Sequence, residues 1–497
     1  MMHEHGESDG RVVPVIPSNE SGRPGEETGE GRRPAKGNTD SETRPGRGAG
    51  SGVSSGLDRV RQVARKDRDV RFTALLHHVT VERLEVAYRA IRPGAAPGID
   101  GVTWNEYGHD LERKLEDLHA RIHRGAYRAS PSRRVFIPKP DGRLRPLGVA
   151  TLEDKVVQRA VVEVLNAIYE DDFAEFSYGF RPGRSPHDAL DALSVGITRG
   201  KVNYVLDADL CDYFTSLDHS WLLKFLEHRI ADKRVLRLIQ KWLKAGVVED
   251  GEWAETAEGT PQGASVSTLL SNVYLHYVFD LWVRQWRQRH ARGDMLVVRF
   301  ADDLLLGFQH RDDAERFQTE LRERFAEFNL GLNDDKTRLI EFGRFAARNR
   351  EAQGLPKPET FDFLGLTHMC AKTKSGHFKL KRVTSKKRIR AKLQSVKTEL
   401  RRRMHLPIPE QGEWLARVVR GHFSYFAVPD NSQALRVFRD EVVRYWLRTL
   451  RRRSQRTRMT WERMHRIANR WLPRPRIQHP WPNARYDAKT QGKSPVR

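Results

Sequence analysis

Cysteine is almost missing from this chain: among 497 residues only Cys211 and Cys370 occur. Two thiols cannot build a disulfide framework, a four-cysteine zinc site or a zinc ribbon, and both are expected to be ordinary buried thiols. Long apolar runs are missing too. None approaches the ~18 residues of a membrane-spanning helix, so no membrane partner is expected. The opening "MMHEHGESDG" lacks the basic-then-apolar pattern of a secretory signal, which makes the cytoplasm the expected compartment. Acidic residues are in short supply: 65 Asp and Glu face 88 Lys and Arg, a formal net charge of +23. An excess of that size points to a polyanionic partner, above all nucleic acid. At this length one compact core is not expected, and roughly two to four domains are.

Composition divides the chain. Residues 1–56 are rich in Gly, Ser, Glu, Arg and Pro and carry almost no apolar periodicity, so they read as a disordered tail. From Leu57 apolar residues recur at three- and four-residue steps, which predicts a helical extension over 57–130, with its second helix from about Trp104 to Arg124. Over 131–368 helical segments alternate with short β-rich runs such as "VNYVLDADL", "MLVVRF" and "DLLLGF", too short for helices and bounded by turn residues. The span Lys372 to Arg403 then holds fourteen Lys or Arg and one acid, Glu399. It falls within a basic linker over 369–412, followed by helices with aromatic spacing over 413–471 and a proline-rich basic tail over 472–497, expected to be irregular.

Chemistry concentrates in carboxylates. "VVRFADDLLLGF" sets Asp302 and Asp303 between two apolar runs, where an unpaired buried charge would cost several kcal/mol or more. Either the stretch is a hairpin with both acids at a solvated tip, or something strongly positive sits opposite them. Upstream, Val205, Asp207 and Asp209 alternate along a predicted strand and so share one face. A strand ending in one aspartate and a hairpin carrying two more could converge on a site for magnesium, which takes carboxylates together with substrate phosphates. Two such ions suit a phosphoryl displacement. Two further segments bear on phosphate. "IPKPDGRLRPLG" places Lys139, Arg143 and Arg145 on a Pro/Gly-punctuated stretch that could fold over a triphosphate, although taken singly it reads as a surface hairpin. "GTPQGASVSTLLSNVYLH" enters a helix through small residues. Neither has P-loop spacing, and no HExxH or nucleophile elbow occurs.

Taken in order, these segments resemble the reverse transcriptases encoded by bacterial group II introns, the reverse transcriptase/maturase family. The matching pieces are "IPKPDGRLRPLG", "TLEDKVVQRAVVEVLNAIYEDDFAEFSYGFRPGRSPHDAL", "VLDADLCDYFTSLDHSWL", "GTPQGASVSTLLSNVYLHYVFDLW", "RFADDLLLGF", "LNDDKTRLIEF" and "FDFLGLTH", running from Ile137 to His368. The resemblance implies an α+β, right-hand polymerase: fingers and palm with an antiparallel sheet, then an α-helical thumb that starts within the basic span 369–412 and continues as a thumb/maturase domain over 413–471. It implies that Asp209 and Asp302 hold two Mg2+ ions with Asp303 assisting. Lys139 and Arg145 match fingertip residues on the incoming triphosphate. Phe214 would lie under the nucleotide sugar and exclude a 2′-hydroxyl, and Gln262 would touch the nucleotide. Lys336 matches a lysine near the active site, and Gly365 a primer-contacting turn.

The implied activity is RNA-directed DNA synthesis from dNTPs on a primer, with binding of template and intron RNA. The sequence departs from the family pattern at several points. Phe300 replaces the commoner Tyr before the paired acids. Cys211 and Asp212 stand where Lys or Arg and then Gly are usual, Thr215 where Asp is usual, and Ala264 and Thr268 where Gly and Pro are usual. The departures leave open an RNA-binding maturase with a weakened polymerase site; a domesticated enzyme serving DNA repair or phage defence, whose sequence would look nearly the same, is a separate alternative. About 26 residues without Cys pairs follow Trp471, so no DNA endonuclease domain is expected.

Overall fold

The computed structural model describes residues 51–138, 144–249, 251–255, 258–260, 263–453, 459–491 and 494–496. The expected disordered tail therefore lies outside the described residues for positions 1–50. Helix α1 (Ser51–Lys66) begins ahead of the expected Leu57. Thr80 starts α2 (Val81–Arg89) by accepting from the Arg83 amide, as a good N-cap does. The helix expected from Trp104 to Arg124 is two helices, α3 (Trp104–Gly108) and α4 (Leu111–His123), because Asp110 between them adopts a left-handed conformation, φ 56. Asp tolerates that region better than most residues.

Strands β1 (Ser132–Pro138) and β2 (Leu144–Val149) precede the long helix α5 (Leu152–Asp172) and α6 (Pro186–Arg199), which lead to β3 (Tyr204–Asp209). Helices α7 (His219–Glu227) and α8 (Lys233–Leu243) are followed by β4 (Val247–Glu249) and β5 (Glu252–Ala254). Helix α9 (Ser267–Leu275), a π-helical turn (His276–Asp280) and α10 (Leu281–Arg289) run on as one rod into β6 (Met295–Phe300) and β7 (Asp303–Phe308). Then come α11 (Arg311–Ala326), β8 (Arg338–Glu341), α12 (Ala346–Ala352), β9 (Phe361–Phe363), β10 (Leu366–Lys372) and β11 (Phe378–Thr384).

These strands form three sheets, in the orders β2-β1-β4-β5, β6-β7-β3-β8 and β11-β10-β9. The second is antiparallel throughout and lies between two apolar cores. Strand alternation assigns the faces: Leu206, Ala208, Leu304 and Leu306 join one core, and Val205, Val298, Leu305 and Ile340 the other. Asp207 and Asp209 continue the row of Val205 toward the strand end.

The basic span carries a strand and a long helix. Strand β11 alternates, burying Leu380, Arg382 and Thr384. Helix α13 (Lys386–Arg402) buries Leu393, Val396 and Leu400 while its cations face out. It packs with α14 (Ile408–Phe426), α15 (Ser432–Arg452) and α16 (Trp461–Trp471) around the fully buried Trp446. The indole N–H of Trp446 donates to Gln411 Oε1 at 2.8 Å, and Gln411 in turn donates to the Arg403 and Leu406 carbonyls.

The tail is not irregular either. Pro482 opens α17 (Pro482–Thr490), which packs on α6. Arg485 and Arg382 both pair with the buried Asp191, Arg199 forks onto Asp487, and Lys489 pairs with Asp188 at 2.7 Å. Val496 then bridges Leu296 on β6, the edge strand. A charged, proline-rich composition hid this docking, because the contacts are ion pairs to residues far back in the chain.

Candidate active site

The paired acids sit at the tip of the β6–β7 hairpin. Phe300 pairs with Asp303, leaving Ala301 and Asp302 as the two-residue turn. Asp303 is exposed and Asp302 half-buried, whereas Leu304 to Phe308 are buried. The hairpin expected from the sequence is formed, with both acids at its tip. The turn is tight and bent: Ala301 has φ 58, a left-handed conformation uncommon for a residue with a side chain. A Cβ on Gly179 would lie 2.2 Å from the Ala301 amide nitrogen, so only glycine lets this neighbouring backbone approach the turn.

Strand β3 brings the distant acid to this tip. In the antiparallel register Asp209 faces Asp303, and Asp207 faces Leu305. Directly opposed residues on paired strands lie about 4.5–5.5 Å apart at Cα and project to the same face. Asp209, Asp302 and Asp303 are thus gathered at one end of the β6-β7-β3-β8 sheet.

Lys336 supplies positive charge there, its Nζ donating to Asp209 Oδ2 at 2.5 Å. The Asn333 and Cys211 amides bind the Asp209 and Gly331 carbonyls, which ties the Lys336 turn to the end of β3. One pair deeper, Arg338 stands 3.7 Å from Asp207. Burial pushes the Asp207 carboxyl up to about 6 against the pull of Arg338, and the charge of Asp209 adds to the rise.

Phe214 is half-buried, packed edge-on to Tyr213 beside this end of β3. The glycine-rich loop is stitched to the same segment. The Thr260 amide binds the Phe214 carbonyl and the Gly259 amide the Leu217 carbonyl, both at 2.8 Å. Gly259, at φ 83, leaves no room for a Cβ against Thr215. Gln262 and Lys139 lie outside the described residues; Arg145 is on β2 opposite Ile137, and its side chain is not among those described.

Gly365, at φ 81, forms the β9–β10 turn. Its carbonyl accepts from the Ser385 amide, and the turn lies against Arg388 and Phe426, with Tyr425 donating to the Leu364 carbonyl. Asp212, in place of the family's usual glycine, keeps a positive φ of 37. Cys211 is exposed rather than buried, correcting the expectation for that thiol; Cys370 is half-buried.

Sequence reasoning missed the support beneath the hairpin. Arg299, inside the apolar run "VVRF", is fully buried and forks onto the equally buried Asp280 at 2.7 and 2.6 Å. A charged residue in the middle of a buried strand was the available signal.

Among the described residues no three His, Cys, Asp or Glu side chains converge as a protein-only metal cage. Magnesium does not require one. It usually keeps waters and takes one or two carboxylates plus substrate phosphates, and the facing Asp209 and Asp303 with the adjacent Asp302 suit that demand.

Comparison with known proteins identifies relatives of the chain. The family model described as reverse transcriptase (RNA-dependent DNA polymerase) matches residues 137–368, which span all three acids. Protein YkfC of Escherichia coli (strain K12) is 34% identical over 314 residues, covering 56% of this chain and 81% of that protein. The group II intron-encoded protein LtrA of Lactococcus lactis subsp. cremoris is 32% identical over 238 residues, 48% of this chain and 39% of LtrA. A putative COX1/OXI3 intron 2 protein of Saccharomyces cerevisiae is 35% identical over 182 residues, 36% of this chain and 21% of its own length. The chain thus spans well under half of the intron-encoded relatives it matches. With the acids in strand register and these likenesses together, the chain belongs to the reverse transcriptase/maturase family of group II intron-encoded proteins.

Proposed function

We propose that this protein synthesises DNA on an RNA template by two-magnesium nucleotidyl transfer, and that it binds a structured intron RNA as a maturase. The observation that carries the reading is the opposition of Asp209 and Asp303 across β3 and β7, with Asp302 beside them and Lys336 on Asp209. Asp209 and Asp302 would hold both ions, and Asp303 would assist. Bound magnesium would neutralise the charge of the reacting phosphates and align the displacement.

The chain's own contribution is positioning. Sheet register sets Asp209 opposite Asp303 and the hairpin turn carries Asp302, which would remove much of their reorganisation from the barrier. Lys336 holds Asp209 by a charge-assisted hydrogen bond, keeping that side chain at the sheet end. Phe214, locked through its carbonyl to the glycine-rich loop, would form the floor under the nucleotide sugar. Lys139, Arg145 and Gln262 would contact the dNTP, and the Gly365 turn the primer. The β2-β1-β4-β5 sheet would then serve as fingers, the β6-β7-β3-β8 sheet as palm and α13–α16 as thumb.

The exposed Lys386, Lys387, Arg388, Arg390 and Lys392 on α13 offer a phosphate-binding face for RNA. Primer extension on an RNA template tests the reading. The Asp302→Asn variant should lose extension by at least a hundredfold in magnesium while RNA affinity stays within about twofold, as expected when phosphate contacts carry the binding. Extension retained by that variant would refute the site.

A further inference from the structure

We infer that Arg299 and Asp280 form a buried clasp that sets the position of the Asp302–Asp303 turn, making Arg299 a positioning residue for nucleotidyl transfer. The inference deepens the proposed polymerase reading and rests on it. Both side chains are fully buried. The guanidinium makes two bonds to Asp280, a third at 2.9 Å to Asn272 Oδ1, and a fourth from the same Nη1 at 3.1 Å to the carbonyl of Ala301. That carbonyl belongs to the left-handed residue immediately before Asp302. The planar, rigid fork of arginine can serve carboxylate, amide and carbonyl at once, which a lysine cannot.

The second wall of the turn is held by the same network. The Asn272 amide donates to the Gly179 carbonyl at 2.8 Å, and Gly179 is the residue whose backbone presses on Ala301. One arginine and one asparagine therefore grip both sides of the bend.

The π-helical turn explains how one rod supplies both partners. In an uninterrupted α-helix, residues eight apart stand roughly 80° out of line, so Asn272 and Asp280 would not address the same guanidinium. The wider winding of His276–Asp280 takes out that offset and brings both onto Arg299. Such turns recur at functional sites. A buried ion pair is weak support for stability as such, since a packed apolar replacement often does as well. This pair instead lies directly beneath the one strained turn that carries the acids.

Two variants separate positioning from scaffolding: Arg299→Lys, and the apolar swap Arg299→Met with Asp280→Leu. Each is followed by thermal melting, by hydrogen exchange of the peptide containing residues 301–303, and by steady-state primer extension. The clasp predicts cooperative melting close to wild type, at least tenfold faster exchange at the turn, and kcat reduced at least tenfold with the dNTP KM within about twofold. A folded variant with wild-type exchange and kcat overturns the inference, and so does failure of both variants to fold, which would make the pair a scaffold element. If the wild-type protein extends no primer, the polymerase reading fails while the exchange measurement still decides whether the clasp holds the turn.

Discussion

Gly179 shows how little room the acidic turn has. A methyl group there would meet the Ala301 nitrogen at 2.2 Å and the Phe300 carbonyl carbon at 2.9 Å, all backbone that cannot rotate away. Gly179→Ala must therefore displace the hairpin, at a cost of about 1–3 kcal/mol typical of overpacking. Primer extension should fall at least tenfold, and the melting temperature should drop. A variant with wild-type extension would mean that the turn tolerates displacement. At this scale much of the site was legible in the sequence. Adjacent acids between apolar runs, and an acid at the end of an alternating strand, announce carboxylates held at the edge of a core. Arg299 was as visible but went unread, because its partner Asp280 lies 19 positions upstream on a helix and no local pattern links them.

Among elements, the C-terminal helix illustrates where sequence reading stops. Its residues are polar and proline-flanked, which favours irregular structure by composition. What orders them is a distant surface: Asp191 on α6, 1% exposed, needs compensation and receives it from Arg485 and Arg382. Removing one charged partner of a buried carboxylate costs about 1.5–3 kcal/mol. Arg485→Ala should lower stability by that amount in chemical denaturation, whereas Arg476→Ala, on an exposed part of the same tail, should change it by less than about 0.5 kcal/mol. Equal effects would contradict the docking of α17. The basic span over β10, β11 and α13 teaches the same lesson: its cations concealed a buried row, Leu393, Val396 and Leu400, at helical spacing.

For the whole molecule, burial of histidine sets the acid limit. Burial pushes His276, His368 and His422 down to about 3 and His187 to about 2, with neighbouring arginines or a further histidine or lysine adding to the effect. In the unfolded chain each titrates near 6.5. These groups therefore stabilise the fold fully above that value and withdraw the contribution as pH falls toward the folded values. Asp172, raised to about 6 by burial against Arg229, acts in the opposite sense. At pH 5 the unfolded chain holds about four protons on these histidines while the folded one holds about two, on Asp172 and on Asp207, which burial likewise raises to about 6, so acidification favours unfolding. The melting temperature should fall between pH 7 and pH 5; a rise would show that the histidines are not held neutral.

The central claim is that acids from β3 and from the β6–β7 turn share divalent cations at one reaction centre. A crystal structure with RNA template, a primer lacking its 3′-hydroxyl, dNTP and manganese, read by anomalous scattering, tests it most directly. Two manganese peaks within coordination distance of Asp209 and Asp302, bridging to the triphosphate, are predicted. Peaks lying elsewhere, or an Asp209 carboxylate left bound to Lys336 with no metal contact, would contradict it.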